Sequence, residues 1–101
     1  METSDSKHLV VKADELFTII EEEIPSAGYL CDSDYDWQSF ELTATNRHYP
    51  DDEHALPIGG VVVTHFIFQA LHKGTYTIIM EHKRPWESTA LKKIYYEVEV
   101  I

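Results

Sequence analysis

The chain has 101 residues, 44 % of them hydrophobic and 12 % aromatic, which is enough apolar surface for one folded domain and too much for a disordered or collagen-like segment. Eighteen acidic against eight basic side chains give a net charge of −10, a sign that repels phosphate backbones and anionic lipid, so neither nucleic acid nor a membrane is an expected partner. Cys31 is the single cysteine, which excludes an internal disulfide and any cluster of thiolate ligands.

The first seven residues, Met1 to Lys7, are polar and acidic with no apolar stretch behind them. No secretory signal is legible there, and no run approaches the ~18 apolar residues of a membrane span. Residues 1–6 are expected to form a flexible N-terminus, and the cytoplasm is the expected compartment. Delivery to an acidic vesicle or lysosome would leave no mark in this sequence; there, protonation of the six histidines would offset more than half of the negative charge.

His8–Lys12 reads as a short strand. Asp14–Ile24 reads two ways: Leu16, Ile20 and Ile24 recur at helical spacing behind a capping Asp14, whereas Phe17-Thr18-Ile19-Ile20 is rich in strand formers and Pro25 ends the segment. A strand is the reading adopted. The following Glu21-Glu22-Glu23 run is expected at a charged surface or strand edge, and Asp32-Ser33-Asp34-Tyr35-Asp36 in a solvated acidic loop. The latter opens like an EF-hand loop but places Trp37 where Gly is needed and Thr43 where Glu is needed, so calcium is not expected.

Trp37–Asn46 is a further strand candidate, with Phe40, Leu42 and Ala44 on one face. Alternation is clearest in three later segments: Val62, Thr64, Phe66, Phe68 and Ala70; Tyr76, Ile78 and Met80; and Ile94, Tyr96, Val98 and Val100. Leu71-His72-Lys73-Gly74 is short and ends in Gly, so residues 61–70 and 75–83 are expected to pair as an antiparallel hairpin. The predicted fold is an all-β, immunoglobulin-like sandwich of six to eight antiparallel strands, lacking the antibody-type disulfide.

Three turn-like segments lie between the predicted strands: Pro25-Ser26-Ala27-Gly28-Tyr29, Pro57-Ile58-Gly59-Gly60 and Arg84-Pro85-Trp86. In a sandwich, connections cluster at the two ends, so segments far apart in sequence can emerge side by side. Proline lowers the entropy lost on binding, glycine admits close backbone approach, and Trp86 offers a large aromatic anchor with Arg84 as a fixed-geometry donor. These are properties of a binding edge more than of a catalytic site. Cys31 reads as a buried or bystander thiol, and His48, His54, His65, His72 and His82 as exposed strand or loop histidines without metal-ligand spacing. No metal, cofactor or enzymatic activity is expected.

Taken together and in this order, the three segments resemble those of the chagasin family of cysteine protease inhibitors: an Asn-Pro-Thr-Thr-Gly-Tyr/Phe loop, a Gly-x-Gly-Gly loop and an Arg-Pro-Trp loop. The resemblance runs from about Lys7 to Ile101, so residues 7–101 are identified as a chagasin-like inhibitor domain. Departures are Ile24 for Asn, Ser26-Ala27 for the two Thr, Pro57 for the first Gly, and Leu30-Cys31 where a Trp usually follows the first loop. The resemblance implies a monomer whose partner is a papain-like, cathepsin L-like cysteine protease, blocked reversibly and competitively by the three loops. The alternative is an immunoglobulin-like binding or adhesion module that uses the same loops for another partner.

Overall fold

The computed structural model describes residues 3–48 and 61–101. Among these, seven strands form two sheets, joined by turns and a single 3₁₀ turn at Pro25–Ala27. Strands β1 (Thr3–Val11), β7 (Lys92–Val100), β6 (Gly74–Lys83) and β3 (Leu30–Asp34) make one sheet in that order; β2 (Leu16–Glu23), β5 (Val62–Ala70) and β4 (Phe40–His48) make the other. The two sheets face each other as the expected sandwich.

Period-two alternation sends one face of each strand inward. On β5 the buried residues are Val62, Thr64, Phe66, Phe68 and Ala70; on β7 they are Ile94, Tyr96, Val98 and Val100. Within Asp14–Ile24, residues Leu16–Glu23 form a strand, as expected, but the helically spaced Leu16 and Ile20 lie on its outer face at 58 % and 54 % exposure. Asp14 caps no helix; it turns the chain at φ 69 and donates its N–H to the Ala70 carbonyl.

The structure corrects several expectations. Segments 61–70 and 75–83 do not form a hairpin, because β5 already has β2 and β4 on its two edges and β6 has β7 and β3. Leu71–Lys73 instead arches from one sheet to the other, with the Leu71 N–H bonded to the Ser39 carbonyl. Alternation specifies which face of a strand is buried and says nothing of its lateral partner, so both connections fit the same pattern. Nor is every pair antiparallel: β1 runs parallel to β7, with Thr3 opposite Lys92 and Val11 opposite Val100. Residues 3–6, read as part of a flexible terminus, are the first half of that strand.

Two further corrections concern β3 and β4. Asp32, Ser33 and Asp34 belong to strand β3 rather than to a loop, paired with Glu81, Met80 and Ile79 of β6. On β4 a bulge between Leu42 and Ala44 shifts the register, so that Phe40 and Leu42 oppose the inward Ala70 and Phe68 while Ala44 opposes the outward Ile67. One extra residue exchanges the two faces of a strand. Beyond the bulge it is Arg47, opposite Thr64, that faces the interior.

The interior therefore divides along its length. At one end Phe17 stacks on Phe68 at 5.7 Å between centroids, and Phe40 meets Phe17 and Tyr76 edge-on at 5.8 and 5.3 Å. Towards the other end the inward positions carry Glu21, Glu23, Thr64 and His82, all buried. The Pro25–Tyr29 and Arg84–Trp86 loops leave the sandwich at this second, polar end.

Candidate functional site

The first loop closes tightly. Ile24 and Tyr29 exchange backbone hydrogen bonds of 3.0 and 3.1 Å, Ala27 N–H reaches the Ile24 carbonyl at 3.1 Å, and Gly28 N–H reaches the Pro25 carbonyl at 2.9 Å. Pro25 opens the 3₁₀ turn with the φ its ring dictates, and Gly28 ends it at φ 82, where a side chain would be strained. Gly28 has a second reason to lack a side chain: a Cβ there would lie 2.5 Å from the indole edge of Trp86.

The third loop is thus in contact with the first. Glu87 N–H bonds the Arg84 carbonyl at 3.0 Å, turning the chain through Pro85 and Trp86, and the Arg84 Nη1 pairs with Glu87 Oε1 at 3.1 Å. From that brace the Arg84 Nε donates to the Ala27 carbonyl at 2.9 Å, while its guanidinium lies 4.4 Å from the Tyr29 ring centroid and 5.9 Å from that of Trp86. Arginine can satisfy a carbonyl, a carboxylate and a ring face at once because its planar fork separates these functions. Pro85 and Trp86 remain exposed, Trp86 at 72 %.

Pro25, Ser26, Ala27, Gly28, Tyr29, Arg84, Pro85 and Trp86 are accordingly brought into one ridge. Pro57, Ile58, Gly59 and Gly60 lie outside the described residues. The strands that bracket them end at this same pole, with His48 opposite Val63 and Glu23 opposite Val62.

Beneath the ridge lie groups that sequence reasoning placed at the surface. Glu21 and Glu23 are 6 % and 1 % exposed, and His82 is buried as well. Glu21 accepts from Tyr96 Oη at 2.5 Å and His82 Nε2 at 3.1 Å. Glu23 accepts from the Cys31 N–H at 2.7 Å, from Arg47 Nε at 2.9 Å, and from the Thr64 hydroxyl. Burial by itself would raise both carboxyl pKa values; hydrogen bonds from His82 and Tyr96 to Glu21, and from Thr64, Cys31 and Arg47 to Glu23, outweigh it and hold both below the usual range. The signal was available: once Phe17 and Ile19 face inward, alternation carries Glu21 and Glu23 inward too.

Cys31 is buried, and burial first, then the nearby carboxylates of Glu21, Glu23 and Asp32, push its thiol pKa up. A thiol held protonated is a poor nucleophile, which agrees with the bystander reading.

The buried pair also sets an acid limit on stability. Both carboxyls have folded-state pKa values below the ordinary 4.5, so their contribution is fully present above that pH and is lost as pH falls through the folded values. Relief of self-repulsion in a chain of net charge −10 acts in the opposite direction. The buried pair is expected to dominate: urea midpoints at pH 7 and pH 5 should agree closely, and the midpoint at about pH 3 should be clearly lower. A midpoint that rises on acidification would contradict this assignment.

The sequence profile of the chagasin family peptidase inhibitor I42 matches residues 10–100. The chain belongs to the chagasin family. Membership sets aside the non-inhibitory binding module and places the chain among inhibitors rather than enzymes. Solved structures share the fold: the cysteine protease inhibitor EhICP2 from Entamoeba histolytica is 21 % identical with a TM-score of 0.75, covering 97 % of both chains. Amebosin is 22 % identical with a TM-score of 0.63 over 98 % of both chains. PbICP-C, solved in complex with falcipain-2, is 16 % identical with a TM-score of 0.62, covering 100 % of this chain and 90 % of that one. No curated protein matches this chain at a significant level.

Proposed function

We propose that this chagasin-family chain is a tight-binding, reversible, competitive inhibitor of papain-like cysteine proteases, with Pro25–Tyr29 as the wedge in the active-site cleft and Arg84–Trp86 beside it. By the family resemblance, Pro57–Gly60 would be the third segment to contact the protease. The observation that carries this reading is the bond from Arg84 Nε to the Ala27 carbonyl, with Trp86 against Gly28, which joins two loops far apart in sequence into one rigid ridge. Two relatives in fold point to the same class of target: EhICP2 is a cysteine protease inhibitor, and PbICP-C was captured on falcipain-2.

The turn is built to enter such a cleft without being cut. The Ile24, Pro25 and Ala27 carbonyls all accept hydrogen bonds from within the protein. A carbonyl committed inward is turned away from the oxyanion donors of a protease and from the near-attack distance of its thiolate. Ordering costs are small because Pro25, the Ile24–Tyr29 bridge and Arg84 have already fixed the backbone.

Titration of active-site-quantified papain and a cathepsin L-like protease with the purified chain should abolish activity at one equivalent, with a serine protease unaffected. Mass spectrometry of the recovered chain should show an uncut Pro25–Tyr29 turn. Retention of full protease activity, or steady cleavage within that turn, would refute the proposal.

A further inference from the structure

The first loop joins β2 of one sheet to β3 of the other. Backbone pairing across its neck is limited to the Ile24–Tyr29 bridge, because below it the two strands diverge into separate layers. The gap is crossed by a side chain. Glu23, the last residue of β2, sends its carboxylate into the interior, where Oε2 accepts the N–H of Cys31 on β3 at 2.7 Å. The same group takes Arg47 Nε from the end of β4 at 2.9 Å, Arg47 Nη2 at 3.4 Å, and the Thr64 hydroxyl near the start of β5.

We propose that Glu23 is the positioning residue for the wedge: its ionised carboxylate ties the two stems of the Pro25–Tyr29 turn to each other and to β4 and β5, and so holds the turn in its binding geometry. This rests on the reading of that turn as the protease-binding element. Arg84 fixes the tip of the turn through Ala27, and Glu23 fixes its neck. A buried carboxylate is costly unless it is fully hydrogen-bonded, and here both oxygens are used. An apolar side chain could fill the space but could not accept the Cys31 N–H, which would then lack its bond to the neck.

The consequence is specific. If the turn samples other geometries once the carboxylate is lost, only a fraction of molecules is binding-competent, and apparent affinity falls in proportion to that fraction. Glu23→Gln keeps the size and removes the charge. Its inhibition constant against papain is expected to rise about tenfold, mostly through a slower association rate. Amide hydrogen exchange at residues 27–31 should accelerate while β6 and β7 keep their protection, a pattern that a general loss of stability would not give.

Unchanged inhibition and unchanged exchange in a folded Glu23→Gln variant would overturn the proposal. Should Glu23→Gln fail to fold, Thr64→Val, which removes one donor and leaves the carboxylate in place, decides in its stead: a smaller rise in the inhibition constant with faster exchange at 27–31 supports the proposal, and no change overturns it. If the parent chain does not inhibit papain, the protease reading fails separately. Exchange at 27–31 then decides the positioning role alone, acceleration in Glu23→Gln supporting it and identity with the parent overturning it.

Discussion

Trp86→Ala is expected to raise the inhibition constant about 30-fold, equivalent to about 2 kcal/mol, while changing folding stability by no more than about 0.5 kcal/mol. The two effects separate because the ring is 72 % exposed in the free protein, so its removal opens no cavity. Its contacts are to the ridge itself: it rests on the bare backbone of Gly28 and lies 5.9 Å from the Arg84 guanidinium. An aromatic held at a fixed angle before binding loses little entropy on docking, and its large apolar area leaves water only in the complex. Tight-binding inhibition assays on the variant, paired with its thermal unfolding midpoint, test both halves. An unaltered inhibition constant would remove Trp86 from the interface, and a large fall in the midpoint would mean that it is part of the packing.

How much of this could be read from the residues depends on which interaction sets each feature. The inward faces of β5, β6 and β7 were legible because alternation is a local property of one strand. The partner of each strand was not: Leu71–Lys73 is equally short as a hairpin or as an arch, and the choice is made by β2, β4, β3 and β7 competing for edges. Ala44 was misplaced by a bulge at its own strand, which leaves no Gly or Pro signature at Thr43. Glu21 and Glu23 belong by residue type at the surface, and the structure buries them because His82, Tyr96, Thr64, Arg47 and the Cys31 amide, spread over four strands and a neighbouring stem, converge on them. Pro25–Tyr29 and Arg84–Trp86, by contrast, carried their own marks in proline, glycine and tryptophan. What the sequence could not express is that Arg84 faces inward to the first loop as much as outward to a partner.

The aromatic end of the interior should behave in the opposite way to the ridge. Phe68 is fully buried, stacked 5.7 Å from Phe17 and met edge-on by Tyr35 at 5.2 Å, so it joins the central strand of one sheet to the turn that follows β3 of the other. Phe68→Ala removes that contact and leaves a void, at a cost of about 3–5 kcal/mol. Single domains of this size have about 5–15 kcal/mol in total, so one substitution consumes a large share of it. Urea unfolding should show a much lower midpoint with a similar slope. Inhibition measured in buffer should nonetheless persist in the folded fraction with nearly the parent constant, because Glu23, Arg84 and the Ile24–Tyr29 bridge lie at the other end of the sandwich. If the folded variant bound as weakly as Trp86→Ala, the two ends would be mechanically coupled, and the stiffness of the ridge would have to come from the whole core rather than from its own bonds.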